Sequence, residues 1–130
     1  MARPPHLCPC GSQRPYRRCC LPRHDGTGPA PTAEALMRSR YSAYALQLAP
    51  YLLASWHPRT RPTTLDLNDG TVWLGLQVQA CQAGGPHDDQ GRVTFAARFR
   101  QHGQQHTLRE RSHFVRLEGA WVYLDGETDG

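Results

Sequence analysis

Val72-Trp73-Leu74-Gly75-Leu76-Gln77-Val78-Gln79 opens the half of the chain that decides the fold, and Val93-Thr94-Phe95-Ala96-Ala97-Arg98-Phe99 repeats its pattern. Apolar side chains recur at every second position: Val72, Leu74, Leu76 and Val78 in the first run, Val93, Phe95, Ala97 and Phe99 in the second. A period of two sends alternate side chains to opposite faces, so each run reads as a strand with one buried face. Gly84-Gly85-Pro86-His87-Asp88-Asp89 is the loop between them. Leu108 to Leu117 reads as a third strand and Trp121 to Asp125 as a fourth, with turns at Gln101–Gln105, around Gly103, and at Glu118-Gly119. Four successive strands joined by short turns predict an antiparallel meander.

Working back towards the N-terminus, the period changes. Met37, Tyr41, Tyr44 and Leu48 fall at helical spacing, behind Thr32 as N-cap and Glu34 in the first turn, where a carboxylate complements the helix dipole. Pro50 interrupts that helix and suits the first position of a shorter one, Tyr51 to Trp56, which Pro58 closes. Residues 59–71 form a connection, ending in the turn signal Asn68-Asp69-Gly70. Helices on one face of a curved four-stranded sheet give an α+β fold. Residues 23–31, rich in Gly and Pro, read as a linker or exposed loop.

The chain has 130 residues and a net charge of +4, and all its Lys/Arg charge is arginine. That charge is mild for a nucleic-acid binder. No apolar run approaches the ~20 residues of a membrane-spanning helix, so no membrane association is expected. Met1 to His6 lack a signal-peptide pattern, which makes a reducing cytoplasm the expected location. There, cysteines serve more often as metal ligands or nucleophiles than in disulfides.

Four of the five cysteines lie close together: Cys8-Pro9-Cys10, the loop Gly11 to Arg18, then Cys19-Cys20. Each pair offers two sulfurs, and the loop brings the pairs together, as a tetrahedral zinc site requires. Residues 1–22 carry too few apolar side chains for a core of their own, so bound metal would have to supply their folding free energy. Arg14, Arg17 and Arg18 would offset the charge of four thiolates. A Cys19–Cys20 disulfide would be strained, and a redox pair is more commonly Cys-x-x-Cys. Four protein ligands leave no open position for water, so one Zn2+ in a structural role is expected. His6 or His24 could replace one cysteine. Cys81, alone at a strand end, is expected to be a small buried hydrophobe.

Cys8-Pro-Cys10-Gly-Ser-Gln-Arg-Pro-Tyr16-Arg-Arg-Cys19-Cys20 resembles the SEC-C motif, the zinc knuckle at the C-terminus of the bacterial secretion ATPase. It departs at Gln13, where the motif usually has a second glycine. Leu36 to Tyr44, Ser55 to Pro58, Trp73 to Leu76, Glu110 to Phe114 and Trp121 to Gly126 are similar to the YchJ-like family of small bacterial proteins. The resemblance implies a SEC-C knuckle over 1–22, a linker over 23–31, and over 32–130 a nuclear-transport-factor-2-like, or cystatin-like, cone. It implies no established activity. Some members carry a second knuckle at the C-terminus. The sequence read to Gly130 has none, so a function needing two is not expected.

A cone of this kind often encloses a pocket. Leu108, Glu110, Ser112 and Phe114 share one face of the third strand, with Tyr41, Tyr44, Trp56, His57 and Trp73 as aromatic wall candidates. Arg98 is expected to reach Glu110 if the register allows. Glu110 or His57 could act as a general base there. The plainer reading makes Glu110 half of a buried pair with Arg98, and His57 a residue that merely ends a helix.

The preferred function is a non-catalytic interaction module. Its knuckle would expose Arg14, Tyr16, Arg17 and Arg18 to an acidic protein, or to RNA or a ribosome-associated partner. The alternative is a small-molecule binder or enzyme using the pocket, with Glu110 as acid/base. A homodimer through the sheet is possible within the fold. Whether the knuckle packs on the main domain or swings on 23–31 stays open. Loss of the zinc in Cys19→Ser while residues 32–130 stay folded would mark the knuckle as an appendage to an independent domain.

Overall fold

The computed structural model describes residues 7–128; the outer ends of the expected 1–22 and 32–130 spans lie outside the described residues. The C-terminal half is the expected meander: β1 (Val72–Ala83), β2 (Gln90–Gln101), β3 (Gln104–Leu117) and β4 (Ala120–Thr128). They form one antiparallel sheet in the order β1-β2-β3-β4. His102-Gly103 and Glu118-Gly119 close the last two hairpins, all four residues at positive φ. Two-residue turns of that hand match the right-handed twist of the strands they join. The strands extend beyond the alternating runs, because the ladder continues through polar residues such as Gln104 and Gln105, whose backbones pair as well as any.

Before the sheet come a one-turn 3-10 helix at Tyr16–Arg18, α1 (Leu21–His24), α2 (Ala33–Leu46) and α3 (Ala49–Ala54). The Thr32 hydroxyl accepts the Ala35 N–H at 3.1 Å and caps α2. Such a cap contributes about 1 kcal/mol. Glu34 receives Arg38 at 3.0 Å one turn on. Gln47, in the left-handed conformation, ends the helix short of Leu48. α3 carries its proline in the first turn but begins at Ala49 and stops at Ala54. Trp56 therefore leaves the helix expected to contain it and bridges to Tyr123 of β4.

Helix α2 lies against the sheet and is buried on more than one side. Met37 and Tyr41 belong to the expected stripe, while Leu36, Ser39, Ser42 and Ala43 are buried as well. These additional positions are mostly small, which lets other segments approach the helix closely. Its first residue docks where the β1–β2 hairpin closes: Ala33 N donates to Gly84 O at 2.9 Å. A Cβ on Gly91 would meet the Gly84 backbone nitrogen at 2.8 Å and the Ala33 side chain at 3.1 Å, so only a bare backbone fits.

Strand β1 departs from simple alternation. Its pairing with β2 slips between Trp73 and Gly75 and again between Val78 and Ala80. Each bulge inserts one residue and reverses the facing of the residues beyond it. Trp73, Leu76 and Val78 thus pack on the core, while Val72 is among the exposed large hydrophobics. Cys81 is exposed rather than buried, its thiol 3.4 Å from Glu34 Oε1 near the end of an edge strand.

Residues 23–31 are not a free linker. His24 Nε2 meets Ser39 O at 2.8 Å, Arg23 donates to Gly28 O at 2.7 Å, and Trp121 Nε1 donates to Pro31 O at 3.2 Å. Cys8, Cys10 and Cys20 share one hydrophobic cluster with Leu36, Met37, Tyr41, Val93, Phe95 and Phe114. The knuckle is therefore docked on the main domain and contributes to its core.

Candidate functional site

The knuckle begins as a short bridged loop. Leu7 pairs with Pro15, and Cys8 N donates to Arg14 O at 2.9 Å. Gly11 N returns to Cys8 O at 3.3 Å, curling the chain so that Cys8 and Cys10 point the same way. The 3-10 turn then delivers Cys19, and Cys20 leads into α1. All four Sγ atoms lie within 4.8 Å of one another, with Cys10–Cys19 at 3.6 Å and Cys19–Cys20 at 4.0 Å. A tetrahedral thiolate centre with metal–sulfur bonds of about 2.3 Å has sulfur–sulfur edges of about 3.8 Å. The cluster has that size.

Its charge also calls for a cation. Hydrogen bonds from Cys20 and Cys8 hold the Cys10 thiol far below the ordinary thiol range. The same bonds to Cys10 and Cys8, with burial, push Cys20 far above it, and burial raises Cys19. Sulfurs packed this closely cannot all carry charge unless a cation offsets it. Hydroxyls line the sulfurs: Ser12 Oγ is 3.1 Å from Cys19, and Ser42 Oγ on α2 lies 3.4 Å from Cys8 and 3.3 Å from Cys20. Hydrogen bonds of this kind orient metal ligands. The donor set and its surroundings fit a closed four-thiolate metal site.

Of the alternative ligands, His6 falls outside the described residues, and His24 is already engaged. Its Nε2 faces a carbonyl, Ser39 O, so that nitrogen donates, and Nδ1 then accepts the Tyr16 hydroxyl at 2.6 Å. Burial holds the imidazole pKa below its usual value, consistent with that neutral tautomer. Tyr16 is consequently half-buried and tied inward, whereas Arg14, Arg17 and Arg18 stay exposed. Gln13 takes φ 66°, the left-handed conformation a glycine would adopt freely. Gln13→Gly is expected to stabilise the protein by a few tenths to about 1 kcal/mol, read as a raised denaturation midpoint. An unchanged or lowered midpoint would refute this account of the loop.

A second feature adjoins the first through α2. Between that helix and the inner face of the sheet is a cavity of about 260 Å³. Tyr41, Trp56, Trp73, Glu110, Ser112 and Phe114, all expected there, line it together with Tyr44 and Leu108. Glu110 Oε2 accepts from Ser112 Oγ at 2.5 Å and from the Tyr123 hydroxyl at 3.2 Å. Gly126 leaves the space this carboxylate occupies, since a Cβ there would lie 2.7 Å from Glu110 Cδ.

Two expected participants are elsewhere. Arg98 pairs in register with Thr107, and Phe95 is the residue opposite Glu110, so Arg98 is on the outer face of the sheet. Its parity along β2, odd relative to Val93, Phe95 and Ala97, already placed it there. His57 does not line the cavity; its Nδ1 accepts the Arg59 N–H at 3.0 Å and its own N–H donates to Tyr123 O at 2.8 Å.

The cation that does reach the cavity is Arg40, which is buried. Its Nη1 donates to Leu52 O at 2.8 Å and to Ser55 Oγ at 2.7 Å. The guanidinium carbon lies 4.8 Å from the ring centroids of both Trp56 and Tyr123. Sequence reasoning missed Arg40 and Tyr123. The available signal was an arginine inside the Met37–Tyr41–Tyr44 stripe, a position where a solvated side chain cannot sit.

The outer face of the sheet gathers Arg92, Arg98, Arg100, Arg109 and Arg111, all exposed, so basic residues cluster away from the knuckle as well as on it. Arg98 and Arg109 flank a surface groove that also includes Pro9 and Gly11 of the knuckle.

A four-cysteine knuckle docked on a helix-backed antiparallel sheet defines a SEC-C-type protein with a nuclear-transport-factor-2-like domain. Residues 7–22 match the SEC-C motif model. Residues 32–126 match the model described as "YchJ, middle NTF2-like domain", and the chain belongs to that family. It is 51% identical over 127 residues to a UPF0225 protein of Streptomyces coelicolor, covering 98% of each. It is also 51% identical over 119 residues to a UPF0225 protein of Deinococcus radiodurans, covering 91% of this chain and 86% of that one. A SEC-C motif-containing protein of Rhodopseudomonas palustris, solved in solution, superposes with a TM-score of 0.83 at 35% identity, over 95% of this chain and 98% of the other. A crystal structure of a SEC-C motif-containing protein of Psychrobacter arcticus gives 0.76 at 29% identity, over 95% and 83%.

Proposed function

We propose that Cys8, Cys10, Cys19 and Cys20 hold one zinc ion in a structural role, and that the knuckle is a non-catalytic, cytoplasmic interaction module whose arginines meet an acidic, ribosome-associated partner. The observation that carries the reading is the closed set of four sulfurs within 4.8 Å, three of them on buried residues. With four protein ligands the metal has no position for a substrate or water, so it stabilises and does not catalyse. The partner surface is supported by exposed Arg14, Arg17 and Arg18, and by the groove that joins the knuckle to Arg98 and Arg109. Arginine forks suit carboxylates and phosphates. Tyr16, tied to His24, supports this face from below and does not reach out from it. A homodimer through the outer sheet face is disfavoured, because it would bring together two arginine-rich faces on which, among the described residues, Arg111 alone has a carboxylate partner, Glu127.

The test has two arms. Native mass spectrometry of protein purified without chelator or added metal should find one zinc per chain; a metal-free chain with intact thiols would overturn the zinc assignment. Co-sedimentation with purified bacterial ribosomes at low salt should fall with rising salt and be abolished in Arg14→Glu/Arg17→Glu/Arg18→Glu. Equal sedimentation of the triple variant would remove the knuckle from the contact.

A further inference from the structure

The cavity between α2 and the sheet holds two opposite charges that do not pair with each other. Arg40 comes from the helix layer and is 6% exposed; Glu110 comes from β3. Among the described residues no ion pair joins Arg40 to any carboxylate, and Nη1 spends its hydrogen bonds on neutral oxygens. Tyr123 meets both charges, with Arg40 over its ring, 4.8 Å from the centroid, and Glu110 3.2 Å from its hydroxyl. Glu110 acts on Arg40 only at a distance and makes no ion pair with it, and a buried cation left without a direct partner is costly unless something else neutralises it.

A third polar group is also unmatched. Trp56 lines the cavity, and its buried indole Nε1 has no acceptor among the described residues. Buried donors are nearly always paired, so an orphan beside a cavity points to an acceptor that enters from outside. Arg40 lies 4.8 Å from the centre of this same indole, so the two donors belong to one end of the cavity. The remaining walls are mainly aromatic and aliphatic: Tyr41, Tyr44, Trp73, Phe95, Leu108 and Phe114. The volume, about 260 Å³, is just under the roughly 300 Å³ where pockets for drug-sized ligands begin, and suits a single-ring molecule.

We propose that this cavity binds a small ring-bearing carboxylic acid, its carboxylate at Arg40 and the Trp56 indole N–H, and a hydroxyl or amino donor at the far end of the ring facing Glu110. The aromatic walls hold the ring. Glu110, fixed by Ser112 and Tyr123 through Oε2, presents its other oxygen to the donor. The site is independent of the knuckle's partner surface, because its lining residues come from α2, the Trp56 segment and the inner face of the sheet.

The experiment titrates 4-hydroxybenzoate into the full, 15N-labelled, metal-loaded chain and follows the indole N–H resonances of Trp56, Trp73 and Trp121, the Trp56 peak being assigned by its loss in Trp56→Phe. The Trp56 peak should move saturably, while that of Trp121, already bonded to Pro31 O, stays in place. 4-Hydroxybenzyl alcohol, which keeps the ring and hydroxyl but lacks the carboxylate, should bind at least tenfold more weakly. Trp56→Phe should weaken the acid by about tenfold, the loss of one hydrogen bond to a charged group. Glu110→Gln should reduce the preference for 4-hydroxybenzoate over benzoate. A Trp56 peak that does not saturate, or equal binding of acid and alcohol, would overturn the proposal. The acid–alcohol comparison uses the unaltered protein, so it decides the matter even if a variant fails to fold.

Discussion

Cys20→Ser is expected to strip the metal and to destabilise the whole chain, not only residues 7–22. Cys20 is 2% exposed and belongs to the same cluster as Met37, Tyr41 and Phe114. Ser42 of α2 hydrogen-bonds its sulfur, and Arg38 of the same helix donates to Cys10 O at 2.9 Å. Structural zinc in small knuckles binds with an apparent free energy of about 10–16 kcal/mol. A domain of this size is stable by only about 5–15 kcal/mol. Freed of metal, the thiols would repel once ionised, and the polar knuckle backbone would lose its hold on α2. Thermal unfolding followed by near-ultraviolet circular dichroism should show the midpoint of the main domain falling steeply, both in the variant and after chelation. A main domain that melts within about 2 °C of the parent would overturn this coupling, and the knuckle would then be an independent appendage. Cys19→Ser should be gentler on packing, since Cys19 is only half-buried beside Ser12, though it too should release the metal.

Phe114→Ala should lower stability by about 3–5 kcal/mol, or roughly 10–20 °C in the midpoint for a chain of this length. Phe114 is 1% exposed, faces the cavity from β3, and meets the Tyr123 ring with centroids 5.8 Å apart. Its removal takes apolar surface from the core and leaves a void contiguous with the existing cavity, which rigid strands on either side cannot collapse to fill. The cost should therefore fall at the upper end of the range, and water should enter. Guanidinium titration measures it. A change below about 1 kcal/mol would mean that the helix layer settles onto the sheet, and that the cavity is a soft space and not a built one.

The four strands were legible because a half-buried antiparallel strand must alternate, and the hairpins because Gly103 and Gly119 sit where the chain reverses. What misled was counting parity through β1. The bulge at Leu74 depends on how β1 meets β2, and it turned Val72 outward with no mark in the local pattern, although Trp73 was already expected in the cavity wall. The Arg98–Glu110 pair failed for the opposite reason: alternation along β2 excluded it, and the attraction of opposite charges was allowed to outweigh register. Arg40 escaped notice because an arginine on a helix is ordinarily solvated. Only the convergence of Trp56 and Tyr123 on its two sides shows that it is not.

The order of residues alone was enough to specify the cysteine cluster, the meander, the capped helix and the residues of the β3 inner face. Those depend on short-range spacing, which bond lengths and backbone periods dictate. It took the folded chain to make the knuckle part of the core, to set Arg40 and Glu110 unpaired on one cavity, and to bring the knuckle beside the arginines of the outer sheet face. Those depend on which distant segments meet, and no local rule carries that information.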